Sequence, residues 1–203
     1  MLLDANFSLI EEDFISISFL SPPLEGLGEA LIFTSQNAAQ SLLQHPKLPD
    51  LKTHPVFCVG MKTKEVLTKN GFNVVAYTGY AADLAEIISL IYKKLTFTFF
   101  SGNRRRDVLP NVLKENKIMF NEIEVYQTQI NSKKITDKLD GILFFSPSAV
   151  ESYLEKNKIK NEICFCIGET TAEALENKKV ENSIIARTPS IESVILDVIT
   201  EFS

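Results

Sequence analysis

The sequence of 203 residues has few of the side chains that most often bind metals or act as catalytic nucleophiles. It contains two histidines, three cysteines and no tryptophan. Cys164 and Cys166 lie two apart in one apolar run, whereas His45 and His54 flank a proline-containing loop. A metal site would need more ligands close together. We therefore expect no metal, buried thiols that share one face of a strand, and histidines at the surface.

Motifs for common catalytic and cofactor sites are also missing. The sequence has no P-loop, no dinucleotide-binding glycine pattern and no nucleophile elbow, and Cys58 has no neighbouring histidine. No acidic cluster follows a first strand, which argues against a doubly wound sensor domain. We expect a protein without a cofactor.

Long apolar runs and a positive charge excess are absent as well. No stretch approaches 18 uninterrupted apolar residues, and the first charged residues, Asp4, Glu11 and Glu12, are acidic. These features predict a cytoplasmic protein without a secretory signal, and we expect a monomer. The net charge of −5 argues against non-specific binding to nucleic acid or membranes. An anionic ligand would need a local basic site.

Short apolar runs alternate with helical patterns along the chain. The runs are rich in β-branched and aromatic residues, and they predict strands at 14–19, 30–35, 56–60, 73–78, 97–102, 119–128, 141–146, 163–168 and 183–188. Helices are predicted at 37–44, 62–71, 81–94, 107–116, 148–157, 170–179 and 190–202. This alternation predicts an α/β fold with parallel sheets covered by helices on both faces.

Two stretches interrupt the alternation, at residues 20–28 and 127–138. We interpret them as crossings between two doubly wound lobes. Residues 1–21 and 130–203 are predicted to form a discontinuous lobe, 22–126 an inserted lobe, and 20–22 with 127–129 the crossover region. The two halves resemble each other, because IFTSQNAA parallels FFSPSAV and FCVGMKTKEVL parallels FCIGETTAEAL.

Five predicted strand-to-helix junctions share one construction, in which small polar residues follow a buried strand. They comprise Thr34, Ser35 and Asn37; Gly60 and Thr63; Ser101, Gly102 and Asn103; Ser146, Pro147 and Ser148; and Gly168, Thr170 and Thr171. Unpaired helix amides at the carboxyl end of a parallel sheet favour carboxylates or phosphates. The hydroxyls can instead be simple caps, and Ser148–Glu151 and Thr170–Glu173 have capping-box spacing. Five such junctions favour one composite anion site.

Arginines and a tyrosine extend this site. The run Arg104, Arg105 and Arg106 directly follows Asn103, and one or two of the three can clamp carboxylates while the others face solvent. Tyr126 precedes the second crossing and is either a ligand-facing phenol or a packed strand residue. The residues alone thus predict a two-lobed α/β protein that binds a polyanion between its lobes.

Several segments, taken in order, resemble the uroporphyrinogen-III synthase family. They are IFTSQNAA (32–39), VGMKT (59–63), SGNRRRDVLP (101–110), VYQT (125–128), FFSPSAV (144–150), CIGETTAEAL (166–175) and ARTPSIESVI (186–195). In family members a further strand and helix precede the segment that FSLIEEDFISISF resembles. MLLDANFSLI looks like the end of that helix, so the first lobe is expected to lack its opening strand and helix.

The resemblance implies a cofactor-free cyclase of porphyrin and haem biosynthesis. Its substrate would be hydroxymethylbilane, a linear tetrapyrrole that loses water and closes into uroporphyrinogen III with ring D inverted. Tyr126 would assist the loss of water, and the junction residues would hold the substrate carboxylates. An alternative is a non-enzymatic or catalytically impaired tetrapyrrole-binding protein of the same fold.

Overall fold

The computed structural model describes residue 2 and residues 7–203. The end of a first helix is expected over MLLDANFSLI, residues 1–10. Residue 1 and residues 3–6 lie outside the described part, and residues 7–10 form no helix, which corrects the expectation there. Within the described residues the strands are β1 (Ile15–Phe19), β2 (Ala30–Phe33), β3 (Pro55–Val59), β4 (Asn73–Thr78), β5 (Phe97–Gly102), β6 (Phe120–Ile130), β7 (Gly141–Phe144), β8 (Ile163–Cys166) and β9 (Ser183–Ile185). The helices are α1 (Gln36–Leu42), α2 (Leu48–Leu51), α3 (Met61–Lys69), α4 (Ala81–Ile91), α5 (Val108–Glu115), α6 (Pro147–Lys156), α7 (Glu169–Glu176) and α8 (Ile191–Phe202).

Every predicted strand and every predicted helix is present. Strands β2, β7, β8 and β9 end two or three residues earlier than predicted. After the first three of these, the small polar residues begin the next helix instead of continuing the strand. Helix α2 corrects the prediction of a loop around His45 and His54. Pro49 is compatible with it because proline near a helix start loses no hydrogen bond.

The chain divides into two compact units. Unit 1 comprises Met1–Ser16 and Gln129–Ser203, and unit 2 comprises Ile17–Thr128. The first division falls inside β1, several residues before the predicted boundary at residue 21. Both β1 and β6 pass through a division, and they are neighbours in the sheet order. The chain therefore passes between units within strands, and the loop of residues 20–28 belongs wholly to unit 2.

The sheet of unit 2 has the strand order β1-β6-β5-β2-β3-β4. Pairing is parallel from β6 through β4. The chain adds β3 and β4 on one side of β2 and then returns to add β5 and β6 on the other side. The direction of strand addition therefore reverses between β2 and β5, which makes this the topological switch point of the sheet.

The core of unit 2 lies on both faces of its sheet. Leu31 and Phe33 pack with residues of α1 and α3, whereas Ala30 and Ile32 pack with residues of α4 and α5. Successive side chains of a strand point to opposite faces. The uninterrupted apolar run of β2 is therefore buried on both sides, as expected for a parallel sheet.

Unit 1 has a smaller parallel sheet in the order β7-β8-β9. Cys164 and Cys166 face α6 and α7, and Phe165 between them packs with residues of α8. The two thiols are fully buried on one face, which confirms the prediction for them. Burial raises the pKa of Cys164 to about 12, with further contributions from Cys166 and Glu162, and that of Cys166 to about 11.

In the described part of the chain, no helix is long and apolar enough to cross a membrane.

Candidate functional site

Three of the five junctions follow adjacent strands of unit 2. They follow β5, β2 and β3, which are neighbours in the parallel sheet. The carboxyl ends of parallel strands meet at one edge, so Asn103, Ser35 and Gly60 begin neighbouring connections there. This edge includes the β2/β5 switch point, where ligands bind in open α/β sheets.

The junction after β2 is a side-chain cap. Ser35 has an extended backbone, and its Oγ accepts a hydrogen bond from the Asn37 N–H at 3.1 Å. Thr34, Ser35 and Asn37 are all half-buried. A hydroxyl that accepts from a backbone amide still has its own O–H to donate. Ser35 can therefore cap α1 and donate to an anion at the same time.

The junction after β3 has a glycine in place of a side-chain cap. Gly60 is the N-cap of α3 with φ of +87°, and its N–H donates to the Thr78 carbonyl at 2.9 Å. Within the described chain, no side chain caps the first turn of α3. Thr63, the third residue of the helix, is 4% exposed. The amides of this first turn are therefore open to an anion.

Unit 1 repeats this pair of junctions on the adjacent strands β7 and β8. Ser146 caps α6 by accepting from the Ala149 N–H at 3.1 Å. Gly168 is the N-cap of α7, and no side chain of the described chain caps it. Thr171, the third residue of α7, is 1% exposed, like Thr63 in unit 2. The sequence similarity between the two halves therefore corresponds to the same two kinds of helix start in each unit.

Two predictions for these helix starts need correction. Ser148 and Thr170 are second residues of their helices and not the N-caps that the capping-box spacing suggested. The caps lie two residues earlier because β7 and β8 end before the serine and the glycine. Pro147 occupies the first turn of α6, as predicted.

Tyr126 lies directly beside the junction after β5. Gly102 pairs with Tyr126, and the register shifts by one residue between Ser101 and Gly102. A Cβ on Gly102 would be 2.3 Å from Cζ of the tyrosine ring. The ring therefore lies flat against the glycine backbone, and only glycine allows this approach. Among the described residues, the hydroxyl of Tyr126 has no hydrogen-bond partner.

Asn103 ties the same junction to the end of β6. Its Oδ1 accepts from the Thr128 N–H at 2.9 Å, and its Nδ2 donates to the Thr128 carbonyl at 3.3 Å. The side-chain amide thereby extends the hydrogen bonding between β5 and β6. The backbone N–H of Asn103 donates to the Tyr126 carbonyl at 3.4 Å. The predicted role of Asn103 as an anion ligand is thus left to its remaining amide hydrogen, and it stays a prediction.

The three arginines precede helix α5 instead of lying in a helix, and they differ in exposure. Arg104 and Arg106 are exposed, whereas Arg105 is half-buried. Arg105 donates from Nε to Glu122 Oε1 at 2.6 Å and from Nη2 to Oε2 at 2.9 Å. Its Nη1 contacts Asp107. All three guanidinium nitrogens thus have carboxylate partners.

Glu122 is a residue that the sequence did not single out. Its carboxylate accepts from Ser101 Oγ at 2.6 Å as well as from Arg105. Burial alone would raise the pKa of Glu122, but hydrogen bonds from Arg105 and Ser101 outweigh it and lower this pKa overall. Only the β5–β6 register, which the sequence does not reveal, brings these groups together. Among the described residues, no cluster of acidic, cysteine or histidine side chains suits a metal.

Comparisons with known proteins agree on one family. A family profile described as uroporphyrinogen-III synthase HemD matches residues 8–195. A uroporphyrinogen-III synthetase from Helicobacter pylori is similar, with 26% identity over 93% of this chain and 91% of that chain and a TM-score of 0.75. A mutant uroporphyrinogen III synthase from Thermus thermophilus has the same fold, with 15% identity over 94% of this chain and 88% of that chain and a TM-score of 0.67.

Proposed function

The chain belongs to the uroporphyrinogen-III synthase family, and from this premise we propose that it closes hydroxymethylbilane into uroporphyrinogen III. The substrate loses its terminal hydroxyl as water, and the resulting azafulvenium cation is attacked by a pyrrole carbon of the same molecule. A spiro intermediate accounts for the inversion of ring D. The substrate thus supplies its own nucleophile. The protein must fold the chain, bind its carboxylates and prevent direct closure to the type I isomer.

The repeated pair of junctions is the observation that carries this proposal. A linear tetrapyrrole has acetate and propionate carboxylates along its whole length, so it needs several anion sites rather than one. Ser35 and Gly60 in unit 2, and Ser146 and Gly168 in unit 1, begin helices that each offer first-turn amides. Helix N-termini stabilise anions without requiring a positive net charge. This is compatible with an overall charge of −5.

The serine caps add directional contacts. Oγ of each serine accepts a hydrogen bond from a backbone amide, and its O–H remains able to donate to a carboxylate. Hydrogen bonds to a charged group contribute about 1.5–3 kcal/mol each. We assign the remaining predicted residues of these junctions to carboxylate binding within their own unit. These are Thr34, Asn37, Thr63, Gly102, Asn103, Arg104, Pro147, Ser148, Thr170 and Thr171. Ser101 is left out because its hydroxyl donates to Glu122.

Tyr126 is our candidate for assisting the loss of water. Its ring is held by Gly102, and its hydroxyl has no hydrogen-bond partner among the described residues, so it is available to a ligand. A phenol placed near the hydroxymethyl group can donate a hydrogen bond to the departing oxygen. Such proton assistance contributes about 10²–10⁴-fold when complete. We expect a partial role, because the substrate readily forms a stabilised cation.

We place the enzyme in the cytoplasm as a monomer that binds no nucleic acid. The acidic net charge disfavours binding to nucleic acid.

The direct test is turnover of hydroxymethylbilane by the purified chain, with separation of the type I and type III isomers. Without enzyme the bilane closes to the type I isomer, which provides the baseline. We expect the type III isomer to dominate and the bilane to disappear faster than in buffer. Formation of type I alone at the buffer rate would reject the cyclase. Tight binding of uroporphyrinogen III without turnover would instead identify a tetrapyrrole-binding protein.

A further inference from the structure

A side-chain network connects the junction after β5 to strand β6, four residues before Tyr126. Ser101 and Arg105 both donate to the carboxylate of Glu122, the arginine through two parallel hydrogen bonds of 2.6 and 2.9 Å. Two parallel bonds fix the orientation of both groups, unlike a single contact between flexible side chains. The network therefore determines where residues 101–105 lie relative to β6.

Partial burial makes this pair more persistent than an ordinary surface ion pair. The side chains of Arg105 and Glu122 are 25% and 28% exposed. Screening by water and salt weakens mainly pairs that are fully exposed. The hydrogen bond to Glu122 is the largest contribution that raises the pKa of Arg105. Both partners therefore stay charged around neutral pH.

The position of Tyr126 depends on the segment that this network holds. Gly102 lies between Ser101 and Asn103, and both of these are bonded to β6, through Glu122 and Thr128 respectively. The ring of Tyr126 lies against Gly102 with no space for even one additional methyl group. A displacement of Gly102 must therefore change the support of the ring.

We propose that the Arg105–Glu122 ion pair, together with Ser101, is a positioning device that fixes the ring of Tyr126 for the cyclisation. Arg105 and Glu122 act through Tyr126 and do not contact the substrate. Arg105 thus does not take the carboxylate-binding role that the sequence suggested for it. The inference rests on the proposed function only in the step that Tyr126 performs. The positioning itself can be measured without substrate.

The first experiment measures the ring directly. The chain has five tyrosines, so labelling with 3-fluorotyrosine gives five ¹⁹F resonances, and the Tyr126→Phe variant assigns that of Tyr126. Glu122→Gln should shift or broaden the Tyr126 resonance and leave the others unchanged. Glu124→Gln is the matched control, because Glu124 is an exposed glutamate of the same strand whose carboxylate contacts Gln127 instead. An unchanged Tyr126 resonance in folded Glu122→Gln would overturn the proposal.

The second experiment measures turnover. A 1 Å misplacement of a reacting group can cost about 100-fold in rate. Glu122→Gln should lower kcat by about 10- to 100-fold, by no more than Tyr126→Phe does, with KM little changed. In the Tyr126→Phe background it should cause no further loss, because residues that act through one group are not additive. The proposal would be contradicted if the kcat losses of Glu122→Gln and Tyr126→Phe were additive. Equal kcat losses in Glu122→Gln and Glu124→Gln would also contradict it.

A conservative variant keeps the proposal testable if Glu122→Gln does not fold. Arg105→Lys keeps the charge but cannot form two parallel hydrogen bonds with Glu122. It should give an intermediate ¹⁹F shift and an intermediate kcat, and a wild-type result in both measurements would count against the proposal. If the parent chain lacks turnover but Glu122→Gln still displaces the Tyr126 resonance, the positioning stands and the proposed function fails.

Discussion

Units 1 and 2 each contain two helix N-termini suited to an anion, but the residues around these N-termini differ. Each unit has a serine-capped helix followed by a glycine-capped helix whose third residue is a buried threonine. Unit 2 alone adds Tyr126 and the Arg105–Glu122 network. Within the described residues, the sheet of unit 2 has six strands, whereas that of unit 1 has three. We propose that both units bind carboxylates, and that unit 2 also supplies the chemical assistance and the more stable scaffold.

The largest expected effect concerns the two cores. Phe57 and Phe165 occupy equivalent places in the echoing strands and are 0% and 1% exposed. Truncation of either to alanine should cost about 3–5 kcal/mol. In the described residues of unit 1, only β8 pairs with strands on both sides, so this unit has less stability to lose. We expect Phe165→Ala to remove amide-exchange protection throughout unit 1, whereas Phe57→Ala weakens unit 2 without unfolding it. The reverse order would contradict the comparison.

The next effect concerns Tyr126. Tyr126→Phe should lower kcat by about 100-fold or somewhat less, because it removes the hydroxyl that we propose assists water loss. Product affinity should change little, since the ring and its contact with Gly102 remain. Steady-state kinetics and titration with uroporphyrinogen III measure the two quantities separately. Unchanged turnover would reduce Tyr126 to a packing residue and remove the main functional difference between the units.

A smaller effect is expected from the shared junctions. Ser146→Val with Thr171→Val in unit 1, and Ser35→Val with Thr63→Val in unit 2, should each weaken product affinity about tenfold or more. The reason is that a lost hydrogen bond to a charged group costs about 1.5–3 kcal/mol. Loss of a serine cap also reduces stability by about 0.5–2 kcal/mol, so thermal unfolding is the necessary control. Affinity as tight as in the parent would show that these hydroxyls only cap helices.

The smallest effect is on thiol chemistry. Burial raises the pKa of Cys58 to about 11, partly offset by Lys64, and those of Cys166 and Cys164 to about 11 and 12. A buried thiol keeps its proton between pH 9 and the folded pKa, whereas an exposed thiol loses it. Folding stability therefore falls as the pH rises through this window. Unit 1 contains two such thiols and unit 2 contains one, so unit 1 should lose more folding stability.

Site-resolved alkylation reports this difference. Because the native thiols are buried and protonated, alkylation requires local or global opening. Mass spectrometry of alkylated peptides should therefore show Cys164 and Cys166 reacting before Cys58, and increasingly so above pH 9. Earlier reaction of Cys58 would indicate that unit 2 opens more readily.

The elements of the fold are largely predictable from the sequence, for a clear physical reason. Strands such as β4 and β5 match their predicted limits. A run of residues that is buried on both faces, or at alternate positions, ends where glycine or polar residues begin, and this change is visible in the sequence. Helix α2 was missed because four residues around a proline carry no periodic pattern. The strand ends after Phe33 and Phe144 were misplaced because a serine cap also has an extended backbone.

The candidate site is less predictable, since its contacts depend on register. Tyr126 and Gly102 were singled out separately, but the sequence gives no sign of the one-residue shift that pairs them. Glu122 resembles any exposed strand glutamate until Arg105 and Ser101 are placed beside it. Arg105 was expected to meet a ligand, and its actual partners lie 17 and two residues away in the chain.

The footprint of uroporphyrinogen III in amide hydrogen exchange tests the central claim most directly. The claim is that the helix N-termini of each unit bind tetrapyrrole carboxylates. Anaerobic addition of the product should slow exchange at the first turns of α1, α3, α6 and α7, and around residues 102–107, with little change elsewhere. Protection confined to one unit, or spread evenly over both without emphasis on these turns, would contradict it.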